Sequence, residues 1–297
     1  MGSGTKISYQ SVLFNQSIDE LERSLSWLSS AVKIASRDRE IEFNVLLGDC
    51  SPVQKVGFDV WESWSEHYSE LFNLKYIFFG ENLGHGGGQN RLSKEVNSDY
   101  LIIANPDVLI SPEAIDLLLR SFEADTNLAL ADGRQLPLEH PKEYDRDGNV
   151  SWCSGAFMVA RTSSFQEVGG FDHKTFYMHG DDVDLSWRIK SKGMSIKHIP
   201  EAYVYHPKRI TSDISISSTE TERAYSALSA LLLPYKWSRG DVFETVRQVM
   251  VQSSDPFHKR ALEEFELRLD AGNLPDPVDP ENAIAVFVDG NYSRHRW

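Results

Sequence analysis

The chain has 297 residues, 41% of them hydrophobic and 25% charged, which suits one large α/β domain with an appendage better than two equal domains. Its 30 Lys and Arg stand against 44 Asp and Glu, a formal net charge of −14. Such a surface repels polyanions and argues against nucleic acid as a partner, although glycines, helix ends or a bound cation can still hold a small phosphate. Cys50 and Cys153 supply neither a disulfide framework nor a metal-ligand pair. No apolar run is long enough for a bilayer span and the start shows no apolar signal region, so a cytoplasmic protein is expected, with peripheral contact at the inner face of a membrane left open.

In chain order, Ile7 to Phe14 predicts a strand, and Ile18 to Ala35 carries Leu21, Leu25 and Leu28 at helical spacing. Phe43 to Leu47 is a short strand ending at Gly48-Asp49, Val53 to Phe72 is helix-like, and Leu74 to Phe79 is a further strand. The glycine-rich stretch Gly84-His85-Gly86-Gly87-Gly88 then reads as a loop. Tyr100 to Ala104 is a buried strand that runs into Asn105-Pro106-Asp107, and Ser111-Pro112-Glu113 opens a helix with serine as its cap. Leu128 to Ala131 predicts another strand. This β–α alternation specifies a mostly parallel sheet with helices on both faces. Ligands bind such sheets at the carboxyl ends of the strands, where Asp49, the Asn82 to Asn90 stretch and Asp107 fall.

Further on, Trp152 to Val159 predicts a strand and Gly169-Gly170 a turn. Asp181-Asp182-Val183-Asp184 starts a helix to about Lys192, with Gly193 as its stop, and Tyr203 to His206 is a short strand. Ile210 to Ser218 is a serine-rich linker. Three helices follow: Glu222 to Leu233, one marked by Val242, Val246, Val249 and Met250, and one marked by Ala261, Leu262, Phe265 and Leu269. The expected organisation is a catalytic domain over residues 1–210 and a helical extension over 211–297.

Several clusters bear chemistry. Asn105-Pro106-Asp107 is either an ordinary turn or a strand-end carboxylate that holds a divalent cation. Asp181, Asp182 and Asp184 exceed what helix capping requires; crowded like charges need a metal, a proton or a basic partner such as Arg188, and one of them could act as a general base. The glycine run fails the dinucleotide fingerprint, because Gln89 takes the sixth position. Its His85-Gly86-Gly87-Gly88 string matches an esterase oxyanion loop, but no G-x-S-x-G elbow exists to supply the nucleophile. His206 is either a structural histidine or completes a metal shell with Asp107.

Taken in order, these motifs resemble the family 2 inverting glycosyltransferases of GT-A fold, especially bacterial rhamnosyltransferase-like members, over residues 7–206. Asp49-Cys50-Ser51 resembles the family's Asp-Asn-x-Ser turn, Asn82-Leu83-Gly84 through Gln89-Asn90 its Asn-x-Gly…Gly-x-Asn segment, and Asn105-Pro106-Asp107 its variant of Asp-x-Asp. Gly155-Ala156-Phe157, Arg161 and Val168 to Asp172 resemble the acceptor side, and Asp181-Asp182-Val183-Asp184-Leu185 with Arg188 resembles Glu-Asp-x-Asp, followed by a histidine at His206. Cys50, Asn105 and Asp181 depart from the usual asparagine, acid and glutamate. The resemblance implies a nucleotide-diphosphate sugar donor, dTDP- or UDP-linked, a glycan or lipid-linked glycan acceptor, and Mg²⁺ or Mn²⁺ on Asp107 and His206. It implies donor contacts at Asn15, Asp49, Ser51, Asn82, Gly84, Asn90, Asn105 and Asp107, and a catalytic group of Asp182 as base with Asp181, Asp184 and Arg188. A non-catalytic sugar- or nucleotide-binding module and a sugar nucleotidyltransferase are the alternatives.

Overall fold

A computed structural model describes residues 4–95, 97–139, 142–207 and 218–293; nearly all of the expected linker, residues 210–217, lies outside them. The first half alternates as expected: β1 (Thr5–Leu13), α1 (Ile18–Ala35), β2 (Ile41–Asp49), α2 (Phe58–His67), β3 (Asn73–Phe78), α3 (Gly84–Leu92) and β4 (Tyr100–Ala104). A two-residue β5 (Leu109–Ile110), α4 (Ala114–Ala124), β6 (Leu128–Leu136), β7 (Phe157–Arg161), α5 (Thr162–Glu167), α6 (Asp181–Ser191) and β8 (Ser195–Tyr205) complete the sheet layer, and α7 (Glu220–Lys236), α8 (Gly240–Gln252) and α9 (Pro256–Asp270) form the extension.

The strands make one sheet of order β3-β2-β1-β4-β7-β6-β8-β5. β1 pairs parallel with β2 and β4, and β2 with β3, so the first half is a parallel β–α unit. β7 runs antiparallel to both β4 and β6, whereas β6 and β8 are parallel. The antiparallel β7 seats the segment that precedes it, Ser154 to Ala156, beside the end of β4: Asn105 N–H donates to Ala156 C=O at 2.9 Å. That places Ser154 to Ala156 next to the turn that carries Asp107.

Local chemistry explains the elements. Ser17 and Glu20 form a reciprocal capping box at the start of α1, and Leu21, Leu25 and Leu28 bury the face that packs on the sheet. One core lies between the sheet and α1, α2 and α4; a second, with Met158, Phe165, Leu185 and Ile189, lies under α5 and α6. The extension has no separate interior of its own: Leu228, Leu231, Leu232 and Trp237 pack with Val183 and Trp187 of α6.

Four local expectations are corrected. The glycine-rich stretch is helical, not a loop. Glycine disfavours a helix, but a Cβ at Gly86 would come within 2.8 Å of Phe171 Cβ and one at Gly88 within 2.6 Å of Val12 Cγ2, so close packing decides the composition. The helix expected from Val53 begins only at Phe58, because the preceding residues form a turn built on Asp49. The strand expected from Trp152 begins at Phe157. Ser111 does not cap α4, which starts after Glu113 without a side-chain cap bond.

Candidate active site

The ends of β1, β2 and β4 lie side by side, and their residues divide into those that build the site and those that face it. Asp49 is fully buried. It accepts hydrogen bonds from Ser51 N–H at 2.8 Å, from Lys55 N–H at 3.2 Å and from the Tyr76 hydroxyl, whose own acidity burial and this carboxylate suppress. Ser51 Oγ in turn accepts from Asn15 N–H at 2.8 Å, with Asn15 in the left-handed region at φ 56°. Asp49, Ser51 and Asn15 thus fix the shape of the loops after β1 and β2. Asn82 Oδ1 accepts from Gly84 N–H at 3.1 Å, which starts α3. Asn90 grips the backbone of Phe171 from both sides, accepting from its N–H and donating to its C=O, each at 2.8 Å. In this geometry Asn82 starts α3 and Asn90 holds the turn at Gly170-Phe171 against it.

Asp107 is the strand-end acid that remains open, its side chain 34% exposed. His206 Nε2 lies 3.5 Å from Asp107 Oδ1 and 3.5 Å from Asn105 Nδ2. The other ring nitrogen, Nδ1, is 3.0 Å from Gln135 Oε1, while Gln135 Nε2 donates to Ser154 Oγ at 2.7 Å. The amide therefore presents an acceptor to the histidine and Nδ1 carries the proton, so that Nε2, facing Asp107 and the Asn105 amide, is the acceptor nitrogen. A carboxylate oxygen and an imidazole nitrogen fit a divalent cation such as Mn²⁺ or Mg²⁺. Among the described residues no group of three or more His, Cys, Asp or Glu is gathered for a metal, so such an ion would need oxygens from a bound ligand to complete its shell.

The acid cluster splits across α6. Two residues along a helix turn the side chain by roughly 200°, so Asp182 and Asp184 face opposite ways. Asp182 Oδ2 accepts from Gly155 N–H at 2.9 Å and Oδ1 from Val183 N–H at 2.9 Å. Burial, and then the neighbouring charge of Asp181, push the Asp182 carboxyl above the usual range. Asp181 is buried against His85, whose Nδ1 donates to its Oδ2 at 2.8 Å. Asp184, fully buried, accepts from Arg188 Nε at 2.7 Å, Lys236 Nζ at 2.7 Å and Trp237 Nε1 at 3.1 Å. Asp184 thus joins α6 to α7 and Trp237, on the side away from Asp182, while Arg188 reaches Val168 C=O at 2.6 Å. A cavity of about 340 Å³ lies there too, lined by Asn90, Gly170, Phe171, Arg188 and Lys236.

The tripeptide Ser154-Gly155-Ala156 ties the two halves together. Ser154 Oγ receives Gln135, which orients His206; Gly155 N–H holds Asp182; Ala156 C=O holds Asn105. A Cβ at Gly155 would meet His85 Cε1 at 3.2 Å and Asp182 Cβ at 3.3 Å. Gly155→Ala is therefore expected to leave the melting temperature nearly unchanged while cutting turnover about 10- to 100-fold, because displacement of a reacting group by a fraction of an ångström is enough. Lys236→Met strips one cation from buried Asp184 and is expected to cost about 3–5 kcal/mol in urea denaturation.

Three contributors carry little sequence signal. His85 sits in a glycine string that only suggests an oxyanion loop, Gln135 is one of two fully buried polar residues in β6, and Lys236 ends a long helix. A fully buried glutamine in a strand is the one cue that composition could offer.

The arrangement defines a class: an eight-stranded mixed sheet flanked by helices, with an open acid just past the end of β4, has the GT-A fold. It resembles mannosyltransferase PcManGT from Pyrobaculum calidifontis, solved with GDP-Man and Mn²⁺, at a TM-score of 0.60 and 13% identity over 90% of this chain and 81% of that one. Residues 60–181 match the family described as "Glycosyl transferase family 2". The chain is 27% identical to an N-acetylglucosaminyl-diphospho-decaprenol L-rhamnosyltransferase of Mycobacterium tuberculosis, over 46% of this chain and 59% of that protein. It is 25% identical to rhamnosyltransferase WbbL of Escherichia coli, over 38% of this chain and 54% of that protein. The matches thus span less than two thirds of either relative's length. Over residues 60–181, and in its fold, the chain is thus similar to family 2 glycosyltransferases, with rhamnosyltransferases among the relatives it matches.

Proposed function

We propose that this chain moves a sugar, with inversion at the anomeric carbon, from a nucleotide diphosphate donor to a hydroxyl of a glycan or lipid-linked glycan. The observation that carries the proposal is the Ser154–Ala156 bridge, which couples the Asp107–His206 pair to Asp182 through three hydrogen bonds. Asp107 and His206 would hold Mg²⁺ or Mn²⁺, which neutralises the donor diphosphate and makes it a better leaving group. Asp182 takes the proton of the attacking hydroxyl; its raised proton affinity suits it to that task. Gly155 N–H fixes the direction of the carboxylate, and the loops shaped by Asp49, Ser51 and Asn15 receive the nucleotide.

The donor proposed first is a dTDP-linked deoxysugar such as rhamnose, and second a UDP-sugar. The two rhamnosyltransferase relatives support the first, and the diphospho-decaprenol acceptor in the name of one of them supports a lipid-linked acceptor of the kind used in bacterial surface polysaccharide synthesis. No helix among the described residues is long and apolar enough to cross a membrane, so an acceptor in a bilayer would be reached from its surface. A thermal-shift screen of nucleoside diphosphates and nucleotide sugars with Mn²⁺ tests the donor. A binder at 100 times its dissociation constant stabilises the fold by about 2.7 kcal/mol, and an absence of any shift across dTDP and UDP compounds would refute the proposal.

A further inference from the structure

His85 stands in the first turn of α3, edge-on to Phe171 with ring centroids 5.2 Å apart. Its Nδ1 bonds Asp181 Oδ2, whereas its buried Nε2 has no hydrogen-bond partner among the described residues. A ring placed only to bridge two protein groups would use both nitrogens; this one is committed to the acid pair alone. It also abuts the next acid, since the same point beside Gly155 lies 3.2 Å from His85 Cε1 and 3.3 Å from Asp182 Cβ. Adjacent carboxylates in a water-poor setting cannot both stay charged without help. Asp184 receives Arg188 and Lys236, but among the described residues no Lys or Arg pairs with Asp181 or Asp182.

We propose that His85 is a positioning residue which, protonated on both nitrogens, sets a positive charge on Asp181 and so keeps Asp182 ionised to accept the acceptor proton. This rests on the base role of Asp182 given above. Burial opposes charge on the imidazole, but the Asp181 carboxylate, its hydrogen bond and Asp182 outweigh burial and hold the ring's proton affinity above the usual range. The groups that face Asp182 are Asp181 from its own helix, His85 from α3 and Cys153 from the segment before β7. Burial drives the Cys153 thiol far above its ordinary range, so it contributes no charge at neutral pH. The sign follows. A histidine whose folded-state value is raised keeps its charge to a higher pH than a free imidazole and loses it as pH climbs through that value. Without that charge, Asp181 repels ionisation of Asp182, and Asp182 takes up its proton at higher pH.

The test uses His85→Asn, which retains an N–H for Asp181 but no charge, and His85→Leu, which retains neither. Both are expected to move the acid limb of the kcat/KM–pH profile upward by about one pH unit, since a neighbouring charge shifts a carboxylate by that order. A ¹³C titration of the Asp182 carboxyl, read without substrate, should show the same displacement. In the wild-type protein, nitrogen-edited spectra should show His85 protonated on both nitrogens at pH 7. A neutral wild-type His85 at that pH, or a His85→Asn variant whose Asp182 titrates as in wild type, overturns the proposal; both readings stand even if His85→Leu fails to fold. Expected spectra in a protein that transfers no sugar would count against the glycosyl-transfer proposal, while the charge coupling of His85, Asp181 and Asp182 would stand.

Discussion

Asp182→Asn is expected to lower kcat by about 10²- to 10⁴-fold, the range a positioned general base contributes, while nucleotide binding stays within about twofold of wild type. The asparagine fits the same space and can still accept from Gly155 N–H, so the tripeptide bridge and the donor side keep their geometry. Only proton acceptance is lost. A fall in kcat with an unchanged donor KM is the expected pattern, because it marks an interaction made in the transition state rather than in the ground state. Wild-type turnover in this variant would remove Asp182 from the base role. By contrast, Asp184→Asn acts on the contact between α6 and α7, and its effect belongs in stability rather than in a kcat-specific loss.

Removal of divalent cations is the second large effect. Excess chelator should abolish transfer, and added Mn²⁺ or Mg²⁺ should restore it. Asp107→Ala should require far more metal for any residual rate, because His206 alone then stands at the site. The expected loss is large because a cation there would supply several kcal/mol of charge stabilisation to a leaving diphosphate. Full activity in chelator would remove Asp107 from any metal role.

The architecture and the division of labour differ in how far they can be read from sequence. The β–α alternation, the strand ends at Asp49 and Asp107, and the helix opened by three aspartates are all set by local patterns of apolar spacing, turn residues and charge, and the fold has them. Their order resembles that of GT-A proteins, and the fold agrees. Which acid does what is not local. Asp182 and Asp184 differ only by which way α6 is turned, and that rotation is fixed by Trp187, Trp237 and the packing of α7, remote in sequence. The glycine run reads as a loop because helix propensity is a local average, whereas its glycines answer to Phe171 and Val12 across the core. His85 is likewise illegible: its importance exists only once α3 is laid beside α6. Asp49 shows the converse. Its position at a strand end is plain from the sequence, but its complete burial and its three donors emerge only from the turn it organises.

The most direct measurement is anomalous diffraction from crystals grown with Mn²⁺ and a nucleoside diphosphate. One manganese peak should lie between Asp107 and His206 and bridge the diphosphate, with the Asp182 carboxylate across the same opening. A manganese bound elsewhere, or a diphosphate lodged where Asp182 cannot reach the sugar it would carry, would contradict glycosyl transfer at this site.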